Sequence, residues 1–148
     1  MAFDYELDFD KIDFRKQPDL YRVGRGEQGV LLVEPYKSEI LPHWRFKTPD
    51  IATVSSEKIY QMFLDYKDEK DFVGMDMARK FLQMGYTRAR RYTNYKGGRK
   101  YDEDGKVKER QIDPVKRKSA EIFMDKWKLA RTDEDYLRMK KEHQKNYG

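Results

Sequence analysis

The stretch YRVGRGEQGVLLVEPY, residues 21–36, decides how the first part of the chain is read. Two runs rich in β-branched and aromatic residues flank Gly24, Gly26 and Gly29, and Pro35 closes the second run. That order predicts a strand, a glycine-rich turn and a second strand. On its amino-terminal side FDYELDF (3–9) alternates apolar and acidic residues, the period of a half-buried strand. On its carboxy-terminal side ILPHWRF (40–46) reads as a short extended piece interrupted by Pro42. Within it and just beyond, Trp44 and Phe46 alternate with Arg45 and Lys47, as on a core strand. Residues 1–47 thus predict a small antiparallel sheet.

Beyond residue 47 the period changes. Thr48-Pro49 is a capping hydroxyl followed by proline at a first helical position. Ile51, Val54, Ile59, Met62, Phe63 and Tyr66 then give an uneven helical stripe to about Lys70. A second helix is expected from Asp71 to about Asn94, ended by Gly97-Gly98. RKYDEDGKVKER (99–110) resembles a hairpin turning at Asp104-Gly105. Asp113-Pro114 starts a third helix, and Thr132 with Asp135 resembles a capping box for a last one, Asp133 to about Lys145. The expected fold is α+β in one domain over 1–148. Residues 1–47 are mainly strands and 48–148 mainly helices, about four in number, with a basic hairpin or loop between the second and third.

Composition narrows the function. The 148 residues are 40% charged and 38% hydrophobic, and aromatics at 14% supply much of the candidate core. The absence of cysteine excludes disulfides, thiolate zinc sites and a cysteine nucleophile. The acidic MAFDYELDFD lacks the layout of a signal peptide, and the longest aliphatic run, Val30 to Val33, is too short to span a bilayer. A soluble cytoplasmic protein is expected. The net charge of +5 is unevenly spread: residues 1–20 carry −3, whereas residues 79–100 carry +8 with no acid at all. Local clustering of this kind points to an anionic partner more strongly than a diffuse excess does.

The cationic window centres on YTRARRYTNYKGGRKY, residues 86–101, with six basic residues and four tyrosines. At about 100° per residue, a helix over 74–94 puts Gly74, Ala78, Phe81, Leu82, Gly85, Ala89 and Tyr92 in one arc. Arg79, Lys80, Gln83, Thr87, Arg90, Arg91 and Asn94 fall on the opposite arc, and Arg88 sits at the boundary. Lys96, Arg99 and Lys100 follow at once, making a continuous strip. Such a strip suits phosphates, because each cation releases condensed counterion and arginine can grip two phosphate oxygens. Gly97 and Gly98 would let backbone amides approach a phosphate, and Tyr86, Tyr95 and Tyr101 could stack on unpaired bases. The plainer reading is a solvated helix face whose late cations suit the helix dipole, with the tyrosines as core.

Several motifs fail on context. Gly24-Arg25-Gly26-Glu27-Gln28-Gly29 matches G-x-G-x-x-G, but a strand-like VLLV follows where a dinucleotide site needs a helix. YDEDGKVKERQ has Lys100 and Gln111 where a calcium loop needs acids. Pro49-Asp50 with Asp68-Glu69-Lys70 fits the spacing of a metal-dependent nuclease, yet both sets fall on a predicted helix. Asp4, Glu6, Asp8 and Asp10 share a strand face and read as an exposed edge rather than a cation site. His43 and His143 have no serine nucleophile partner in sight. No catalytic constellation, metal site or cofactor motif is assembled.

At LPHWRFKTP, and again at GMDMARKFLQMGYTRARRYTNYKGGRKY, the sequence resembles a family of small intracellular proteins of bacteria and their tailed phages, known as a domain of unknown function. The resemblance covers essentially the whole chain and implies a self-contained domain, without an activity, cofactor or catalytic residue to carry over. The function expected from the residues is non-enzymatic nucleic-acid binding with little sequence preference. Its site residues are Arg79, Lys80, Arg88, Arg90, Arg91, Tyr95, Lys96, Gly97, Gly98, Arg99, Lys100 and Tyr101. The alternative is an interaction or assembly module docking an acidic protein, and a metal-dependent nuclease ranks third. DNA, RNA and protein all stay open as partners, as do strandedness and oligomeric state; a membrane is not expected.

Overall fold

No strand forms in the 21–36 stretch. The computed structural model of the protein describes residues 2–94, 104–105 and 113–148, and these form five α-helices and no β-strand. The α+β expectation is corrected to an all-α fold, because the antiparallel sheet over residues 3–47 is not there. Backbone groups in this region bond to near neighbours instead of to a ladder. The Gln28 N–H donates to the Arg25 carbonyl at 3.0 Å, Val30 to Glu27 at 3.2 Å and Leu32 to Gly29 at 3.0 Å. Gly24, Gly26 and Gly29 adopt φ of +70°, +54° and +77°, which keeps the chain coiling through successive turns. At Gly29 there is a second demand, since a Cβ there would run into the Phe3 ring.

The apolar alternation reports burial without a sheet. Phe3, Phe14, Tyr21, Val23, Val30 and Val33 are buried, so the segment is an irregular strap that pegs rings and branched residues into a helical surface. Any extended or turning chain laid on a core can show that pattern, because strand propensity mostly measures fit to a half-buried surface. Helix α1 (Tyr36–Ile40) follows, with the Glu34 carboxylate accepting from the Ser38 N–H at 2.7 Å. A single 3-10 turn, Leu41–His43, occupies part of the piece read as extended.

The remaining helices start where their capping chemistry lies. Thr48 Oγ1 accepts from the Ile51 N–H at 3.3 Å and Pro49 opens α2 (Pro49–Asp68). Asp71 accepts from the Gly74 N–H at 3.0 Å in front of α3 (Phe72–Asn94). Asp113 accepts from Val115 and Lys116 at the start of α4 (Pro114–Arg131). At α5 (Glu134–Tyr147) the cap is Asp133, bonded to the Tyr136 N–H at 3.0 Å, rather than the expected Thr132. The Thr132 hydroxyl instead donates back to the Lys128 carbonyl at 2.6 Å and closes α4.

Helix α3 is the axis of the molecule. It packs mainly on α2 and α4, while α5, α1 and the strap cover further sides. As a result every residue from Phe72 to Leu82 is buried. Gly74 lies against the Tyr66 ring and Gly85 against the Phe123 ring, with no room for a Cβ, so the α3 backbone approaches both flanking helices closely. Gly105 has φ +78°, as a turn at Asp104-Gly105 requires, while the rest of the expected 99–110 hairpin lies outside the described residues. Among the described residues, no helix is long and apolar enough to cross a membrane.

Candidate nucleic-acid interface

The polar arc of α3 divides into a buried half and an exposed half. In the buried half, Asp76 and Lys80 are fully inaccessible and Arg79 is 6% exposed. Arg79 clasps the Asp76 carboxylate through Nε (3.0 Å) and Nη2, and its Nη1 reaches the Gly26 carbonyl and Gln83 Oε1. Asp76 also accepts from the Tyr136 hydroxyl at 2.6 Å and from the Tyr21 hydroxyl. Lys80 Nζ donates to the Gln28 carbonyl at 2.7 Å, lies 3.8 Å from Asp76, and sits over the Tyr21 and Phe3 rings at 4.9 and 5.2 Å. Arg79 and Lys80 are therefore corrected from surface cations to the internal fastening between α3, α5 and the strap.

The electrostatics follow from that enclosure. Burial pushes the Asp76 carboxyl up, but Arg79, Lys80 and the two tyrosine hydroxyls outweigh it and hold the group at about 2. Burial pushes Lys80 down to about 8, only partly offset by Asp76. The Tyr21 and Tyr136 phenols are driven up, by burial first and by the Asp76 charge second. Perturbed groups of this kind mark active sites when they line a cleft. Here they are shut inside and bonded to one another, which is the signature of a structural ion cluster.

The exposed half begins past Gln83. Arg90 and Arg91 are exposed and Arg88 is half-buried, and among the described residues none of the three forms an ion pair. One acid from the strap does reach this helix: Glu27 accepts from Thr87 Oγ1 at 3.1 Å. Tyr86 stacks on Trp127 of α4 with ring centroids 5.8 Å apart. The Arg90 guanidinium lies 5.7 Å over Tyr86, and that of Arg131 lies 4.3 Å over Trp127. An Arg–Tyr–Trp–Arg row consequently crosses the seam between α3 and α4. Sequence reading missed the α4 half, although each cation is four residues from its ring, one turn along a helix. Tyr92 packs beside Phe46 at 6.0 Å and is 39% exposed, so it belongs only in part to the core arc. Tyr95, Lys96, Gly97, Gly98, Arg99, Lys100 and Tyr101 lie outside the described residues.

The other candidates are not assembled into a reactive site. Asp50 and Asp68 stand at opposite ends of the 20-residue α2, about 30 Å long, so the nuclease spacing brings no carboxylates together. Among the described residues no group of three or more acids or histidines gathers to hold a metal. Asp4, Glu6, Asp8 and Asp10 are exposed, and their partners are local: the Glu6 N–H at 2.9 Å for Asp4, and Lys11 at 3.8 Å for Asp8. A cleft of about 460 Å³ beside α5 is lined by Arg15, Lys70, Asp71 and His143 among others. Three of its polar groups, Arg15, Asp71 and His143, are bonded to partners of their own. Arg15 is bidentate to Glu39 at 2.7 and 2.8 Å, and Asp71 accepts from Tyr36 at 2.6 Å. His143 Nε2 lies 2.7 Å from the Tyr21 carbonyl, which can only accept, so this nitrogen carries the proton.

No curated protein and no solved structure matches this chain. A family match does cover nearly all of it, including the strap, the ion cluster and the α3–α4 seam. The chain belongs to the family described as Domain of unknown function (DUF4385), which it matches over residues 4–146.

Proposed function

We propose that this protein binds nucleic acid with little sequence preference, through the exposed end of α3, the α4 side of the seam and residues 95–101, which follow α3 in the sequence. The observation that carries the reading is the Arg90–Tyr86–Trp127–Arg131 row, with the exposed Arg91 next to Arg90 in α3. Some surface cations are spent on acidic partners, such as Arg15 with Glu39, Lys67 with Asp133 and Arg138 with Asp135. Among the described residues Arg90, Arg91 and Arg131 form no ion pair, which leaves their charge for an external anion. Unpaired guanidiniums gain most from phosphate, because binding releases counterions without first breaking an internal pair. Arg79 and Lys80 take no part in this surface.

The test is binding of labelled single-stranded and duplex DNA and RNA across a salt series. Log affinity should fall linearly with log salt, and the doubly charge-swapped Arg90→Glu/Arg91→Glu protein should lose at least about tenfold in affinity and about two from the salt slope. Unchanged binding by that folded variant would remove the site. No binding by the parent protein at low salt would remove the reading and leave an acidic protein as the class of partner to seek.

A further inference from the structure

The Gly24–Gly29 loop, unexplained as a dinucleotide motif, forms one side of a pocket of about 410 Å³ against α3. That volume is within the ordinary range for a small-ligand site. Buried Val30 and Met84 provide its floor, and Tyr5 and Leu31 its apolar rim, 56% and 44% exposed. Arg25 comes from the loop and Arg88 from the cationic half of α3. Among the described residues neither guanidinium has an ion pair or a hydrogen bond. Glu27, also on the wall, is taken up by Thr87. The Tyr5 ring is not loose: it meets Phe3 edge-on at 5.0 Å, and Phe3 is in turn seated on Gly29.

We infer that this pocket captures one unpaired nucleobase, so that single strands are the substrate class of the basic surface; the inference rests on the function proposed above. The chemistry selects this occupant. An apolar floor with an exposed ring suits a flat, weakly polar group, which a free phosphate is not. Arg25 and Arg88, neither of them paired among the described residues, line the same pocket and outnumber its one carboxylate, Glu27, so they suit an anion attached to that group, which a lipid tail or an apolar side chain lacks. A nucleotide within a strand has both parts. Arg88 sits at the boundary of the cationic arc, so a backbone crossing α3 from the exposed Arg90 and Arg91 would pass the pocket with a base free to turn in. A paired base cannot do so without first leaving its stack.

The experiment compares intact single strands, strands with abasic positions and duplexes, on the full-length protein and on the variants Tyr5→Ser and Arg25→Glu. The parent protein should bind intact single strands about tenfold more tightly than abasic ones, as expected for one stacked base. Tyr5→Ser should erase that difference while leaving duplex affinity and the urea midpoint unchanged. Arg25→Glu should lower single-strand affinity and reduce the salt slope by about one. Equal binding of intact and abasic strands by the parent protein, or a difference that survives Tyr5→Ser, would overturn the pocket and leave the α3–α4 surface standing. Failure of the parent protein to bind any strand would overturn both.

Discussion

Asp76 is a carboxylate with no access to water, and the residues around it fall into an order of importance. Arg79 is its closest cation and also satisfies the Gly26 carbonyl and Gln83, whereas Lys80 is 3.8 Å away and chiefly bonded to the Gln28 carbonyl. Removing one partner of a buried pair leaves an uncompensated charge, so Arg79→Met should cost about 3–5 kcal/mol in urea unfolding. Lys80→Met leaves Asp76 with Arg79 and both tyrosine hydroxyls, and should cost about 1–3 kcal/mol for the one orphaned carbonyl. Equal costs would contradict this hierarchy. Provided they fold, both variants should keep the parent's nucleic-acid affinity, because Lys80 is inaccessible and Arg79 is buried and spent on internal partners. The sequence does contain a signal for the pairing, though not for its burial. Asp76 precedes Arg79 by three residues and Lys80 by four, the spacing at which helical charges meet. Counting charge from residue 79 onward leaves that acid outside the window, and two internally paired bases then pass for surface.

At the scale of elements, the starts of α2, α3 and α4 were legible because caps are local. Thr48, Asp71 and Asp113 each bond a backbone N–H within three residues, and no distant group is needed to make that happen. How α3 meets its neighbours was legible only in part. Gly74 and Gly85 fall on the arc expected to face the core, but which rings they receive depends on where α2 and α4 lie. Gly85→Ala sets two effects against each other. Alanine favours a helix interior by about 1 kcal/mol, yet its Cβ would strike the Phe123 ring. Overpacking of that kind costs about 1–3 kcal/mol, so a net loss of stability is expected in denaturant titration. The cause can be isolated by a double-mutant cycle: Phe123→Leu should destabilise the Gly85→Ala protein less than it destabilises the parent. A stabilised Gly85→Ala protein would show that the α3–α4 seam yields more easily than its packing implies.

Over the whole molecule, α5 and the strap hold each other through His143, whose Nε2–H donates to the Tyr21 carbonyl while its ring packs among Phe72, Tyr21 and Tyr147. Burial lowers the His143 pKa below its ordinary 6.5, so the folded protein keeps the ring neutral where the unfolded chain would protonate it. Below that pH the unfolded state therefore binds more protons, and stability falls as pH drops through 6.5 toward the depressed folded value. His143→Gln, which retains a donor for the carbonyl, should show a flatter stability profile between pH 7 and 5, checked by urea midpoints across that range. Asp76 adds a separate loss far lower, as pH falls from 3.8 through about 2. Contacts such as His143 to Tyr21 join residues far apart in the chain, and no local pattern announces them. What the sequence determined by itself was whatever depends on neighbours along the chain: the caps of α2, α3 and α4, the turn glycines, the arc that packs inward and the concentration of positive charge near residue 90. Tertiary structure alone decided that residues 3–47 wrap as a strap instead of pairing as a sheet. It also decided that Arg79 and Lys80 face inward, and that Trp127 and Arg131 join the basic surface. The physical reason is that alternation and charge specify which residues seek apolar or polar surroundings, while the surfaces that satisfy them are supplied by distant segments.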